Sequence, residues 1–314
     1  MQEHGAAVDA RPAFTHAAFG YDSDRAYGTV LSRFIRDGLA RDETVAVAAD
    51  AHYTGLLRDT LGGDATQVRF LPAEEWYVRP VRTIAGWSQV LRAAAVAGRP
   101  AVRLIGHTPL RADDPTWLRY ESALNASLAG LRGQLLCPYD RTALPAGTVA
   151  RLHPHLYDDG WVASAAYEPP EQFLTEVPEP WWPVMGAPAL AVPVHDTVAE
   201  LRTLVRTTAA DQGWLPPEQI ENLLLALSEV ATNGIRHGGD RRELRVWVTD
   251  DAVVCEVTDD GAKPPDPLAG YLPPRSGVIG GMGLWLVQQL CDAMTIGSVD
   301  GLTRARFALR RSPA

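Results

Sequence analysis

The sequence predicts an α/β protein of two domains, and three observations predict it. Over residues 14–165, short β-branched or apolar runs alternate with segments whose apolar residues recur every three or four positions, the pattern of strands joined by helices. Over 168–195, "EPPEQFLTEVPEPWWPVMGAPALAVPVH", seven prolines break that rhythm. Beyond them the order changes to helix–helix–strand–strand–loop–helix–strand–strand, which is an α/β sandwich with one sheet under a helical layer. A chain of 314 residues is long enough for both units.

In the first unit the candidate strands are "FTHAAFG" (14–20), "TVAVAA" (44–49), "QVRFLP" (67–72), "PAVRLIGH" (100–107) and "QLLCPYD" (134–140). Helical spacing occurs near 24–41, 52–61, 81–97, 115–131 and 146–155. That alternation implies a mostly parallel sheet with helices on both faces. Proline removes a backbone donor and favours extended chain, so 169–193 reads as a stiff connector between domains of 14–168 and 194–311, with Trp181 and Trp182 as candidates to pin it. The second unit begins with the helix "DTVAELRTLVRTTAADQGW", for which Asp196 or Thr197 is the candidate N-cap. A second helix enters through "LPPEQ", because proline is tolerated in the first turn. Strands at 243–249 and 253–259 form a hairpin. A Pro/Gly-rich loop (261–281), a helix (283–294) and strands near 295–299 and 303–310 follow.

Composition excludes several classes. With 46% hydrophobic and 21% charged residues the chain is an ordinary globular protein. Its formal net charge of −9 argues against nucleic acid as a direct partner, since neutralising phosphates needs a basic surface. No apolar run approaches the ~20 residues that span a bilayer, and "MQEHGAAVDARPAFTH" has no signal-peptide core. Cys137, Cys255 and Cys291 are too scattered for a disulfide framework or a CxxC zinc site. Together these features suit a reducing cytoplasm with no membrane partner. Lys263 is the only lysine and stands in "DDGAKPPD", so the GxxxxGK[ST] loop and the strand lysine of the protein-kinase fold are both missing. Any nucleoside triphosphate must be held in another way.

The stretch "LLLALSEVATNGIRHGGD" (223–240) carries Glu229, Asn233 and His237 at i, i+4 and i+8, within roughly 80° of one another on a helix whose other side is apolar. Such a triplet is either a solvated face or the floor of a site. Two further pieces bear on the choice. In "VTDDGA", Asp259 ends a strand and Gly261 follows; in "GGMGLWLVQQL", Gly280, Gly281 and Gly283 precede an amphipathic helix. Helix-first-turn N–H groups lack partners and carry partial positive charge, and glycine lets backbone approach an anion closely. A strand-ending Asp can accept from an amine, and Asn offers Mg²⁺ a neutral oxygen.

In this order and spacing, residues 194–311 resemble the Bergerat-type (GHKL) ATPase fold, and within it the RsbW-type anti-sigma-factor serine/threonine kinases. The N-box is Glu229-x-x-x-Asn233, followed by Arg236-His237-Gly238; the glycine boxes are Asp259-x-Gly261 and Gly281-x-Gly283-Leu284. The resemblance implies ATP and Mg²⁺ as cofactors. Glu229 would be the general base drawing the proton from a serine hydroxyl, and Asn233 would hold Mg²⁺. Asp259 would read the adenine amine, the glycine-box amides would bind phosphates, and Thr303 would stand on a late strand near the nucleotide. It also implies a sigma factor and an STAS-domain anti-anti-sigma factor as partners, with a homodimer among the states it allows. His237 reads as a structural histidine at the helix end. Arg275 is the only arginine of the lid (262–280), either a γ-phosphate contact or a solvated charge. Lys263, where a small residue is usual, and the short proline-rich lid leave an ATP-gated adaptor with little kinase activity as the alternative. The helix at 196–213 has no histidine to accept phosphate, which separates the chain from sensor histidine kinases.

Residues 14–168 resemble MEDS sensory domains through "RFIRDGLARDETVAVAA" (33–49), "VRFLPAEEW" (68–76), "YESALNASLAG" (120–130) and "LLCPYDRTALPAGTVARLHPHLY" (135–157). The resemblance implies a RecA-like mostly parallel α/β sandwich that receives an unidentified ligand. Candidate sensing positions are His16, His107, Glu121, Cys137 and Tyr139, at or near strand ends where open α/β sheets bind ligands. Cys137 reads first as a buried apolar cysteine, and a His/Cys metal site, the lesser reading, has no spacing motif to announce it.

Overall fold

The computed structural model describes residues 14–261, 265–273 and 282–311. The chain forms two compact units. The first gathers residues up to Tyr77, Gly86–Ala112 and Leu124–Glu168; the second gathers Val78–Ala85, Asp113–Ala123 and Pro169 onward.

The first unit is built on a seven-stranded sheet. Its strands are β1 (Phe14–Tyr21), β2 (Thr44–Ala49), β3 (Arg69–Pro72), β4 (Val102–Gly106), β5 (Gly133–Asp140), β6 (His155–Tyr157) and β7 (Trp161–Ala163), in the order β3-β2-β4-β5-β1-β6-β7. All pairings are parallel except β6 with β7. β1 is central and buried along almost its whole length, as expected of a strand covered on both faces. The helices of this unit are α1 (Asp24–Leu39), α2 (Ala51–Leu61), the single turn α3 (Ala73–Trp76) and α6 (Ala146–Leu152), while α4 (Pro80–Val96) and α5 (Pro115–Ser127) each begin with residues of the second unit and end with residues of the first. Ser23 and Asp50 start α1 and α2 by accepting from the N–H groups of Ala26 and Tyr53. Leu31, Phe34 and Ile35 of α1 pack with Val45, Val47 and Leu57 to make its core.

The second unit is a five-stranded antiparallel sheet, order β11-β12-β10-β9-β8, with helices. Its elements are α7 (Pro170–Glu176), β8 (Leu190–Pro193), α8 (Val198–Asp211), α9 (Pro217–His237), β9 (Arg242–Val248), β10 (Ala252–Asp259), α10 (Gly283–Leu290), β11 (Ala293–Val299) and β12 (Leu302–Arg310). Leu223, Leu224, Leu227, Val230 and Ala231 of α9 are buried against Leu244, Val246, Val253, Cys255 and Phe307 of the sheet. β11 and β12 turn at Asp300-Gly301, both at positive φ (54° and 76°), the backbone a two-residue hairpin requires.

The predicted α/β class and the mostly parallel first sheet are both present. Three expectations need correction. The connector 169–193 is not extended throughout: its start forms α7, with Pro170 in the tolerated first turn, and its end is strand β8, paired with β9. α5 stops at Ser127 and α10 at Leu290, short of the expected ends at 131 and 294. The β6–β7 hairpin lies inside and beyond the segment read as helix to 155, because three-residue strands carry too little pattern to detect. Thr197 stands at the N-cap of α8, but neither candidate side chain caps it; Asp196 instead pairs with Arg242 at 2.6 Å. All three cysteines are buried and none of them forms a disulfide. No described helix is long and apolar enough to cross a membrane.

Candidate functional site

In the second unit a cavity of about 480 Å³ opens beside α9, within the size range of small-molecule sites. Asn233, Asp259, Gly283, Leu284 and Thr303 all line it. Three elements deliver them: α9 carries Asn233, the end of β10 carries Asp259, and the first turn of α10 carries Gly283 and Leu284. Asp259 and Thr303 face each other across the β10–β12 ladder. Val230, Val257, Ile296 and Ala305 supply an apolar wall.

The glycines are there for closeness. A side chain at Gly283 would run into the carboxylate of Glu229, so α9 and α10 approach this tightly only without one. Glu229 thus lies against the start of α10, whose first N–H groups have no intrahelical acceptor. Asp259 is buried, and its Oδ1 accepts from the N–H of Gly261 at 2.9 Å and of Gly239 at 3.3 Å. A Cβ on Gly238 would stand 2.5 Å from both Asp259 Cγ and the Gly234 carbonyl. Gly238→Val should therefore force the turn off Asp259 and lower the melting temperature by several degrees, about 1–3 kcal/mol of overpacking; a scanning-calorimetry midpoint equal to that of the unaltered protein would contradict this contact.

His237, read as a structural histidine, is exposed and lines the cavity mouth. Arg236 is exposed. Lys263, Arg275, Gly280 and Gly281 lie outside the described residues, so Arg275 and the Gly281 half of the second glycine box have no structural account.

One group was not visible in the sequence. Arg119, buried in the Asp113–Ala123 segment that belongs to the second unit, donates to the carbonyls of Leu174 (2.8 Å) and Pro267 (3.4 Å) and to the Tyr271 hydroxyl (3.3 Å). Glu179 stands 3.5 Å from its Nε and accepts from Tyr271. Burial pushes both the Glu179 carboxyl and the Tyr271 phenol above their ordinary values. The arginine so holds the loop 265–273, whose Leu268, Gly270 and Leu272 wall the cavity. As one of many arginines on a helical stretch it carried no distinguishing signal. Arg119→Met should release the loop, seen as faster amide exchange confined to 265–273 and its neighbours; unchanged exchange there would show that the loop is held otherwise.

In the first unit a cavity of about 400 Å³ lies at the C-terminal ends of β5 and β1, lined by Gly20, Tyr139, Asp140, Arg141, Val149 and Tyr157 among others. Tyr139 is thus at a strand end, as expected, and its hydroxyl meets His153 Nε2 at 3.2 Å. His107 directly follows β4; it sits among Tyr21, Tyr27 and Tyr53, with its Nε2 3.3 Å from the Tyr21 hydroxyl, and burial lowers its pKa to about 4. His16 and Cys137 are not at strand ends. Both are buried inside the sheet, and Glu121 is buried on α5.

Comparison with known families agrees with both halves. Residues 15–154 match the MEDS family, the MEthanogen/methylotroph, DcmR Sensory domain. Residues 193–308 match the histidine kinase-like ATPase domain. No curated protein matches the chain. The chain therefore joins an N-terminal MEDS domain to a C-terminal histidine-kinase-like ATPase domain.

Proposed function

We propose that the second unit binds Mg·ATP and transfers its γ-phosphoryl group to a serine or threonine of an STAS-type anti-anti-sigma partner, thereby governing release of a sigma factor. The MEDS domain biases that activity in response to a ligand. The observation that carries the reading is the single cavity walled by Asn233, Asp259, Thr303 and the start of α10, with Glu229 against Gly283.

The donor set fits the nucleotide. The apolar wall of Val230, Val257 and Ile296 suits a flat base, and Asp259 offers it a carboxylate acceptor beside that wall. The N-terminus of α10 suits the phosphates. The Asn233 side-chain oxygen suits Mg²⁺, which would neutralise phosphate charge when bound. Phosphoryl transfer asks a protein chiefly for alignment and charge neutralisation, plus a group to orient the nucleophile. Glu229 takes that last role, accepting the proton as the partner's hydroxyl oxygen bonds to phosphorus and the bond to the ADP leaving oxygen breaks.

Glu229 touches Gly283 but is not among the residues that line the cavity, and this favours a second reading, an ATP-gated adaptor with little catalysis. Incubation with γ-labelled ATP and an STAS-domain protein separates the two. Label on the partner's serine or threonine supports the kinase; ATP-dependent partner binding without label supports the adaptor.

A further inference from the structure

We propose that the first unit holds a divalent metal ion of the zinc class, bound by His16, Cys137 and His153. One ligand atom from each of these three buried residues lies within 4.8 Å of the other two. This site is separate from the nucleotide cavity and independent of the kinase reading.

The fold assembles the donors from distant places. β1 and β5 run parallel with Ala18 opposite Cys137, so Cys137 emerges on the same sheet face as His16, two residues earlier on β1. His153 immediately follows α6, and its ring stands 4.3 Å from that of His16.

The hydrogen bonds around both rings set which nitrogen keeps its lone pair. Asn125 donates through Nδ2 to the Leu152 carbonyl at 2.9 Å, which turns its Oδ1 toward His16 Nδ1, 3.0 Å away. That oxygen only accepts, so His16 carries its proton on Nδ1 and presents a bare Nε2, 3.2 Å from Cys137 Sγ. His153 Nδ1 likewise faces the Val149 carbonyl at 2.9 Å, which leaves its Nε2 bare, with the Tyr139 hydroxyl as present donor. Metal-binding histidines are held in this way, one ring N–H anchored on a carbonyl and the other nitrogen directed at the ion.

Two imidazole nitrogens and a thiolate, with the fourth position left to water, form a borderline-soft donor set that suits zinc and disfavours magnesium or calcium. Charge supports the same ion. The Cys137 thiolate carries a negative charge, which a bound cation offsets in a region where all three side chains are buried. With metal–sulfur near 2.3 Å and metal–nitrogen near 2.0–2.1 Å, tetrahedral ligands stand about 3.3–3.6 Å apart. The donors here, up to 4.8 Å apart, need to draw in by about 1.2–1.5 Å at the widest. On binding, the Cys137 Sγ–H bond breaks, its proton leaves to buffer, and the Sγ–metal bond forms with no change of oxidation state. Tyr139 turns off His153 Nε2, and since Tyr139 lines the 400 Å³ cavity the ion sits directly behind that cavity's wall.

The test uses the full-length protein, stripped with a chelator and titrated with Co²⁺ and then Zn²⁺ in excess Mg²⁺. The expected result is one equivalent bound, with a thiolate-to-cobalt charge-transfer band that Zn²⁺ abolishes. The band should survive in the Cys255→Ala/Cys291→Ala double variant and vanish in Cys137→Ser. Asn125→Ala, which removes only the anchor of His16, should weaken Zn²⁺ by about 10–100-fold. If Cys137→Ser does not fold, X-ray absorption on the unaltered Zn²⁺ protein decides: one sulfur with nitrogen and oxygen neighbours supports the site. No charge-transfer band at excess Co²⁺, a band that persists in folded Cys137→Ser, or a zinc shell with no sulfur would overturn it and leave the cluster as a hydrogen-bonded core.

Discussion

On the proposed kinase reading, Glu229→Gln should slow phosphoryl transfer to an STAS-domain protein by about 10²–10⁴-fold, the usual contribution of a positioned general base, and leave ATP affinity nearly unchanged. The asymmetry follows from position. Glu229 packs against Gly283 at the start of α10, whereas Asn233, Asp259 and Thr303 line the cavity. Glutamine keeps the shape that Gly283 accommodates and removes only the ability to take a proton. Single-turnover transfer measured beside calorimetric ATP binding reads both quantities. Equal transfer by the two proteins would remove Glu229 from the chemistry, and a loss of ATP binding in step with transfer would make it a structural residue.

Asp259→Asn should act in the opposite sense, by strongly weakening nucleotide affinity with little effect on the fold. The Asp259 carboxylate has two oxygens, and Oδ1 holds the N–H groups of Gly261 and Gly239. Asparagine can keep that acceptor in place while it puts an amide donor where the adenine amine, itself a donor, needs a partner. Sites built to hydrogen-bond one group reject a mismatched one by about 10⁴–10⁵-fold when burial is complete. For a cavity open to solvent, a loss of 10²-fold or more is expected, on the order of 3 kcal/mol. Thermal denaturation should show an unaltered midpoint without nucleotide and no rise with ATP, where the unaltered protein gains stability through linkage. A normal ATP-induced rise in Asp259→Asn would place the base elsewhere.

The legible part of the sequence was what depends on short-range pattern. The α9 face was readable because Leu223, Leu227, Val230 and Ala231 recur at helical spacing, which left Glu229 and Asn233 on a common side. Asp259 and Gly283 were readable because a strand end and a helix start each have local signatures. Long-range packing left no such trace. Gly238 appears as one glycine of a turn, and only the structure shows it pressed on Asp259. Arg119 lies far along the chain from the loop it holds. β8 was hidden because Pro193 in "LAVP" argues against a strand, yet an edge strand tolerates proline. His16, Glu121 and Cys137 were singled out one by one, but His153 was not. The group forms only through the parallel register of β1 with β5 and the placement of α6, which no spacing rule encodes.

The central claim is that a magnesium-bound nucleotide occupies the gap between α9 and the start of α10. The most direct measurement is a diffraction structure of the full-length protein grown with Mg²⁺ and a non-hydrolysable ATP analogue. The adenine amine is expected on Asp259, phosphate oxygens on the N–H groups at Gly283 and Leu284, and Mg²⁺ on the Asn233 oxygen. An analogue bound away from these residues, or a cavity without it at saturating concentration, would contradict the claim.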